Sequence, residues 1–214
     1  MDPRFDLPIL TRAETASHLD LPPSTLGYWV KTRALQVVER QRTSDASITF
    51  ASLVETHMLR QLRQSGLSLG AIRDAAIRLR NELDRPYPLA WRRIAHDGRD
   101  LLAEIAAEGE GASWERIRDS QGGLPGVVEL GLKSVEWAPD DYASRLRLVA
   151  YRGADVVVDP LVSFGQPILA GVGVRVEDVV DLARAGEPYQ LIADEFGIQT
   201  TEVEALVRPH IRAA

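Results

Sequence analysis

In the first third of the chain, apolar residues recur at helical spacing in several stretches bounded by residues that start or stop helices. Thr11-Arg12-Ala13-Glu14 has the Thr-x-x-Glu spacing of a capping box and predicts a helix from Arg12 to about Leu19. Asp20-Leu21-Pro22-Pro23 turns the chain. Pro23 suits the first position of a second helix, running to about Val30, because its missing N–H costs nothing there. On that helix Leu26 and Trp29 share an inward face, while Ser24, Thr25, Tyr28 and Lys31 face out. The short β-rich runs Leu35–Arg40 and Ser47–Phe50 flank the polar stretch Gln41–Ala46, which predicts a hairpin with Lys31, Arg33, Arg40 and Arg42 clustered near its tip. Val54, Met58 and Leu62 predict a helix ending at Ser65-Gly66, and Ser68 caps another. In this last helix Leu69, Ile72, Ala76, Leu79 and Leu83 form a two-heptad apolar seam. Such a seam takes either a partner helix, giving a homodimer, or the core of its own domain.

The pattern weakens over residues 87–145, which read as a linker with fragments of strand and helix. Asp100–Ile105 is a possible strand there, and Gln121–Gly126 a loop or hinge. From 146 onward it sharpens. Leu146–Val149 and Val156–Val158 are strand-like on either side of the hairpin turn Arg152-Gly153-Ala154-Asp155, and within Phe164–Val174 glycines frame a short apolar strand. Three helices follow. The first holds Val176, Val179, Val180 and Ala183 and stops at Gly186. The second opens at Pro188 and ends at Gly197, and the third begins near Thr201. The predicted fold is therefore mainly α with small β-hairpins. An N-terminal winged helix-turn-helix (1–86) is followed by the linker (87–145) and a C-terminal tri-helical, helix-turn-helix-like domain with short strands (146–214).

Charge divides the same way. The 214 residues carry a net charge of −6, but residues 1–92 hold 13 basic and 10 acidic side chains, against 12 and 21 in residues 93–214. A basic front half fits a nucleic-acid partner, with the second helix in the major groove and the hairpin arginines on flanking phosphates. The acidic C-terminal face of Asp194, Glu195, Glu202 and Glu204 repels phosphate and fits a protein partner or self-association. There is no cysteine, so disulfides, thiolate metal sites and a cysteine nucleophile are excluded. The chain contains no apolar run of membrane-spanning length and no secretory leader pattern, which makes the cytoplasm the expected location. His18, His57, His96 and His210 show no pair at ligand spacing, and no nucleophile elbow, phosphate loop or dinucleotide fingerprint is present. Neither an enzyme nor a metal or cofactor site is expected.

Ser24-Thr25-Leu26-Gly27-Tyr28-Trp29, the arginines near the hairpin, and Leu62-Arg63-Gln64-Ser65-Gly66-Leu67-Ser68-Leu69-Gly70-Ala71-Ile72 resemble the MerR family of transcription regulators over roughly residues 8–83. Gly27 stands where that family usually carries a DNA-contacting arginine, and Pro22 where a capping Ser or Asp is common. Gly165-Gln166-Pro167-Ile168-Leu169-Ala170-Gly171-Val172-Gly173, Ala185-Gly186 and Ile192–Phe196 resemble the domain of unknown function four-three-three, with its polar members replaced. The combination resembles antitoxins of VapBC-type modules. The resemblance implies a homodimer that represses its own operator DNA and neutralises a PIN-like ribonuclease toxin encoded nearby. The acidic half, 93–214, is expected to suffice for neutralisation, through the hinge 121–126 and the acidic residues Glu136, Asp140 and Asp141. The expected DNA contacts are Ser24, Thr25, Tyr28, Lys31, Arg33, Arg40 and Arg42. A MerR-type ligand-responsive regulator without a toxin partner, and an adaptor that no longer binds DNA, are the alternatives.

Overall fold

A computed structural model describes residues 2–38, 45–64, 66–83, 86–92 and 132–211. The described chain is mainly helical, with small antiparallel sheets: α1 (Pro3–Asp6), β1 (Pro8–Leu10), α2 (Arg12–His18), α3 (Pro23–Lys31), β2 (Ile48–Thr49), α4 (Phe50–Gln64), α5 (Leu69–Leu83), β3 (Val135–Trp137), β4 (Ala143–Arg147), β5 (Val156–Val158), β6 (Ile168–Leu169), α6 (Val176–Arg184), α7 (Tyr189–Phe196) and α8 (Thr200–Ile211). The chain divides into two compact units that do not follow chain order. One comprises residues 1–26, 39–50 and 145–214, the other residues 27–38 and 51–144. The stretch 1–86 is thus shared between the two units, while 146–214 lies wholly in the first.

Local chemistry explains most element ends. The Thr11 hydroxyl accepts from Glu14 N at 3.2 Å while Glu14 Oε2 accepts from Thr11 N at 2.6 Å, so two otherwise orphaned amides at the start of α2 are satisfied. Ser68 Oγ accepts from Ala71 N at 3.1 Å and starts α5. Gly197, at φ +66°, ends α7 in the left-handed conformation that favours glycine. The third C-terminal helix begins one residue before Thr201, and Glu202 Oε2 reaches back to Gln199 N at 2.8 Å.

In the unit built from both chain ends, Leu10, Leu19, Leu26, Ile48, Phe50, Leu146, Leu148 and Leu169 are fully buried. β4 pairs antiparallel with β5 (Leu146 with Val158) and β5 with β6 (Val156 with Leu169), as the strand-like runs predict. Helix α8 packs on α6, α7 and α2. Leu53, Leu59, Ile72 and Leu79 are the largest fully buried side chains of the other unit, with Trp29 close behind.

The predicted hairpin needs correction. β2 pairs with β1, Leu10 opposite Ile48 and Pro8 opposite Thr49 across an irregular register, and Ser47 N donates to Leu10 O at 3.0 Å. Leu35–Val38 is irregular. Ile48 and Thr49 are both buried, and their ladder is completed by a segment nearly forty residues upstream rather than by the neighbouring run. The predicted tip with Arg40 and Arg42, the strand at 100–105 and the hinge at 121–126 lie outside the described residues.

Candidate functional site

Helix α3 carries the outward-facing residues that the sequence nominates for DNA. Pro23 opens it, and Leu26 and Trp29 are buried. Ser24 and Lys31 are exposed, Thr25 is half-buried, and the Tyr28 ring is 57% exposed, so i, i+3 and i+4 spacing puts polar groups along one side of a short helix. The helix ends on Arg33, exposed and at φ +59°. Arg33 N donates to Val30 O at 3.1 Å and Ala34 N to Trp29 O at 3.0 Å, the paired bonds of a Schellman stop. Glycine usually fills that position, so an arginine there is held against a backbone preference. A Cβ added at Gly27 would meet nothing within 4 Å, so the position is open to a longer side chain.

The apolar seam is placed differently from a free interface. Ile72, Ala76 and Leu79 are each 1% exposed within the single chain, which matches the packing alternative for these three. Leu69 is half-buried; the side chain of Leu83 lies outside the described ones.

Of the acidic residues nominated for the toxin, Glu136 and Asp140 are exposed and Asp141 is half-buried. Asp141 N donates to Ala138 O at 2.9 Å, Ala138 N to Tyr142 O at 2.8 Å, and Asp140 Oδ1 accepts from Tyr142 N at 3.1 Å. Asp140 and Asp141 sit on one tight turn closed by its own hydrogen bonds, with Asp141 at φ +67°, and Glu136 lies on the preceding strand β3.

Two buried polar groups escaped sequence reasoning. The first brings together two histidines from opposite ends of the chain. His18 Nδ1 hydrogen-bonds the Tyr151 hydroxyl, which also meets His210 Nε2 at 2.9 Å, and the two imidazoles lie 5.3 Å apart. Burial, then the neighbouring His210, pushes His18 down to about 3. Burial lowers His210 too, with Arg184 adding to the effect and Glu14 opposing it, and burial raises the Tyr151 phenol. Neutral imidazoles let one hydroxyl donate to one ring and accept from the other. The second group is Glu55, on α4 in the other unit. It is 1% exposed, accepts from Leu89 N at 3.2 Å, and lies 3.7 Å from Arg80 Nη2. Burial raises its carboxyl to about 7, against the lowering effect of Arg80 and the Leu89 amide. No local signal distinguishes Glu55 from a solvated glutamate, because α4 is buried nearly all round.

Among the described residues no group of three His, Cys, Asp or Glu is placed to hold a metal ion, and no helix is long and apolar enough to cross a membrane.

Residues 156–208 match the family model described as "Protein of unknown function (DUF433)". A Mycobacterium tuberculosis protein named "Putative antitoxin VapB45" is 31% identical over 217 residues, covering 91% of this chain and 90% of that protein. The crystal structure of Rv2018 from Mycobacterium tuberculosis superposes with a TM-score of 0.76 at 30% identity, covering 95% of this chain and 99% of that one.

Proposed function

Since this chain belongs to the family of the protein named "Putative antitoxin VapB45", we propose that it is the antitoxin of a type II toxin–antitoxin module, neutralising a PIN-like ribonuclease and repressing its own operon. The observation that carries the reading is the length of the match. Similarity runs over 91% of the chain, not only over the DUF433 segment, so both ends share the relative's design. An antitoxin implies a cognate toxin as partner.

In this reading, α3 enters the major groove. Tyr28, Ser24 and Thr25 face the bases, and Lys31, Arg33, Arg40 and Arg42 neutralise phosphates. The chain acts on DNA as a homodimer, since one module of this size contacts too few base pairs for useful specificity. Dimerisation through Leu69, Ile72, Ala76, Leu79 and Leu83 is the contact proposed from sequence, although the burial of the three middle residues within one chain weighs against it. Strand β3 and the turn after it, carrying Glu136, Asp140 and Asp141, offer the toxin an acidic surface. A protein that holds RNA is electropositive along its groove, and such a surface complements it.

The test is co-expression of the full chain with the product of the adjacent reading frame. Growth rescue and co-purification at 1:1 stoichiometry or a multiple of it are expected. No rescue and no complex would sink the antitoxin reading. Gel shifts on the chain's own upstream DNA over a salt series test repression separately. Lys31→Ala is expected to lower affinity for all sequences and flatten the salt slope by about one unit, while Tyr28→Ala changes sequence preference.

A further inference from the structure

The loop between β5 and β6 displays two large apolar side chains on a strained and tightly held backbone. Leu161 is 82% exposed and Phe164 85%, with Val162 between them at 38%. Ser163, Phe164 and Gly165 lie at φ +47°, +54° and +76°, three successive left-handed residues, two of which carry side chains. Non-glycine residues are strained there and stay only where their surroundings impose it. Here hydrogen bonds and packing impose it from both ends of the loop. Asp159, paired with Arg145 at 3.2 Å, accepts from Leu161 N at 2.9 Å through its carboxylate and from Val162 N at 3.0 Å through its carbonyl. Gly165 N donates to Val162 O at 2.9 Å and Gln166 N to Ser163 O at 3.0 Å. At the far end Gln166 Nε2 donates to Ile9 O at 2.6 Å, and a Cβ on Gly165 would come within 2.7 Å of Ile9 Cγ2. Pro160, Gly165 and Pro167 are buried around the bare tip. The backbone is thus fixed on both sides, and the result of its strain is to point Leu161 and Phe164 into water.

A prearranged apolar knob loses little conformational freedom on binding, and a buried aromatic anchor is the usual centre of a binding hot spot. Two observations identify what it enters. Knob against knob in a two-fold pair would bury only the few apolar side chains of each tip, roughly 300–400 Å² per copy, whereas a stable interface needs about 800 Å² from each partner. Residues 145–211 also carry ten acidic and six basic side chains, so a second copy would bring like charge to the contact. Two convex tips hold the surfaces around them apart, whereas an apolar pocket on a basic partner lets the surface around the tip add to the contact and so meets both requirements. We propose that Leu161 and Phe164 form the anchor by which this chain seats in an apolar pocket of its cognate toxin. The proposal rests on the antitoxin reading and gives it a specific contact.

The experiment uses the full chain co-expressed with the tagged product of the adjacent reading frame, with affinity then measured on the purified components. Phe164→Gly removes the ring and also relieves the left-handed strain, so the variant is expected to melt at the same temperature or higher while losing at least thirtyfold in affinity. Leu161→Ser, at a position almost wholly in water, is expected to lose at least tenfold with unchanged melting. Wild-type binding with both variants within threefold of it would overturn the anchor and leave the antitoxin reading intact. Loss of the chain's own oligomer in either variant, with toxin binding retained, would make the knob a self-contact and also overturn the proposal. Failure of the wild type to bind would remove the antitoxin reading itself, and the anchor with it.

Discussion

Replacing Glu55 by glutamine is expected to remove a stability penalty that grows as pH rises. In the folded chain burial holds the Glu55 carboxyl protonated up to about pH 7, whereas in the unfolded chain it ionises near its ordinary value of 4.5. Below 4.5 the carboxyl is neutral in both states and contributes no pH dependence. Between about 4.5 and 7 the unfolded state loses its proton first, so unfolding is increasingly favoured; above 7 the penalty levels off. A displacement of 2.5 pH units at about 1.4 kcal/mol each gives about 3 kcal/mol. Glutamine keeps the shape and can still accept from Leu89 N. Facing the Arg80 guanidinium with an amide shifts the whole curve without tilting it. The measurement is denaturant unfolding of wild type and Glu55→Gln at pH 4.5, 6, 7.5 and 8.5 and constant ionic strength. Subtracting the two curves cancels His18 and every other titrating group. The difference, variant minus wild type, is expected to rise by about 3 kcal/mol between pH 4.5 and 7.5 and then flatten. A difference that stays level, or falls with pH, would refute the buried, protonated Glu55 described above.

The other predictions address separate elements. Tyr151→Phe leaves the nitrogens of His18 and His210 without their shared partner and is expected to cost about 1–3 kcal/mol at pH 7, read by thermal or urea unfolding. His18, held down to about 3 when folded and near 6.5 when unfolded, contributes stability that is fully present above pH 6.5 and is lost progressively toward pH 3. His18→Phe is therefore expected to flatten the acid limb, and an unchanged limb would count against the neutral imidazole. Ile72→Asp puts a carboxylate into a position 1% exposed and is expected to unfold the chain rather than yield a folded monomer, as circular dichroism and sedimentation will distinguish. Gly27→Arg has open space, removes a helix-interior glycine worth roughly 1 kcal/mol, and is expected to raise DNA affinity and steepen the salt slope by about one unit.

Legibility followed sequence distance. The Thr11–Glu14 box, the Ser68 cap, the Pro23 start, the Gly186 and Gly197 stops and the pairing of β4 with β5 depend on residues close in the chain, and all were readable. What failed depends on remote partners. Leu35–Arg40 has strand composition, yet Ile48 found Leu10 instead, because a three-residue strand beginning with proline gives almost no periodic signal. His18 and Tyr151 are 133 residues apart, and nothing local to either announces the other. The short strand framed by glycines was legible, as Ile168 and Leu169 show, but the left-handed backbone that leaves the Phe164 ring exposed has no hydropathy signal.

The interleaving of the units decides how the two proposed activities can be separated. A fragment 93–214 keeps α6, α7 and α8 but removes Ile9, which accepts from Gln166 and packs on Gly165, and His18, which completes the Tyr151 cluster. It also strips α2 from α8. Losing three or four such buried contacts, at about 1–3 kcal/mol apiece, is comparable with the 5–15 kcal/mol that holds a whole domain together. A fragment 1–86 suffers the reciprocal loss, since Leu10 and Leu19 are buried in the unit to which residues 145–214 belong. Silence from either fragment would therefore report unfolding before it reported function. Substitutions at exposed positions avoid this. Tyr28 and Lys31 on α3, and Leu161 and Phe164 on the β5–β6 loop, can be changed with the core intact. If repression and neutralisation are separate surfaces of one chain, the first pair will abolish operator binding with toxin binding unchanged, and the second pair the reverse. Variants that lose both activities together, while melting normally, would mean that toxin and DNA compete for the same face.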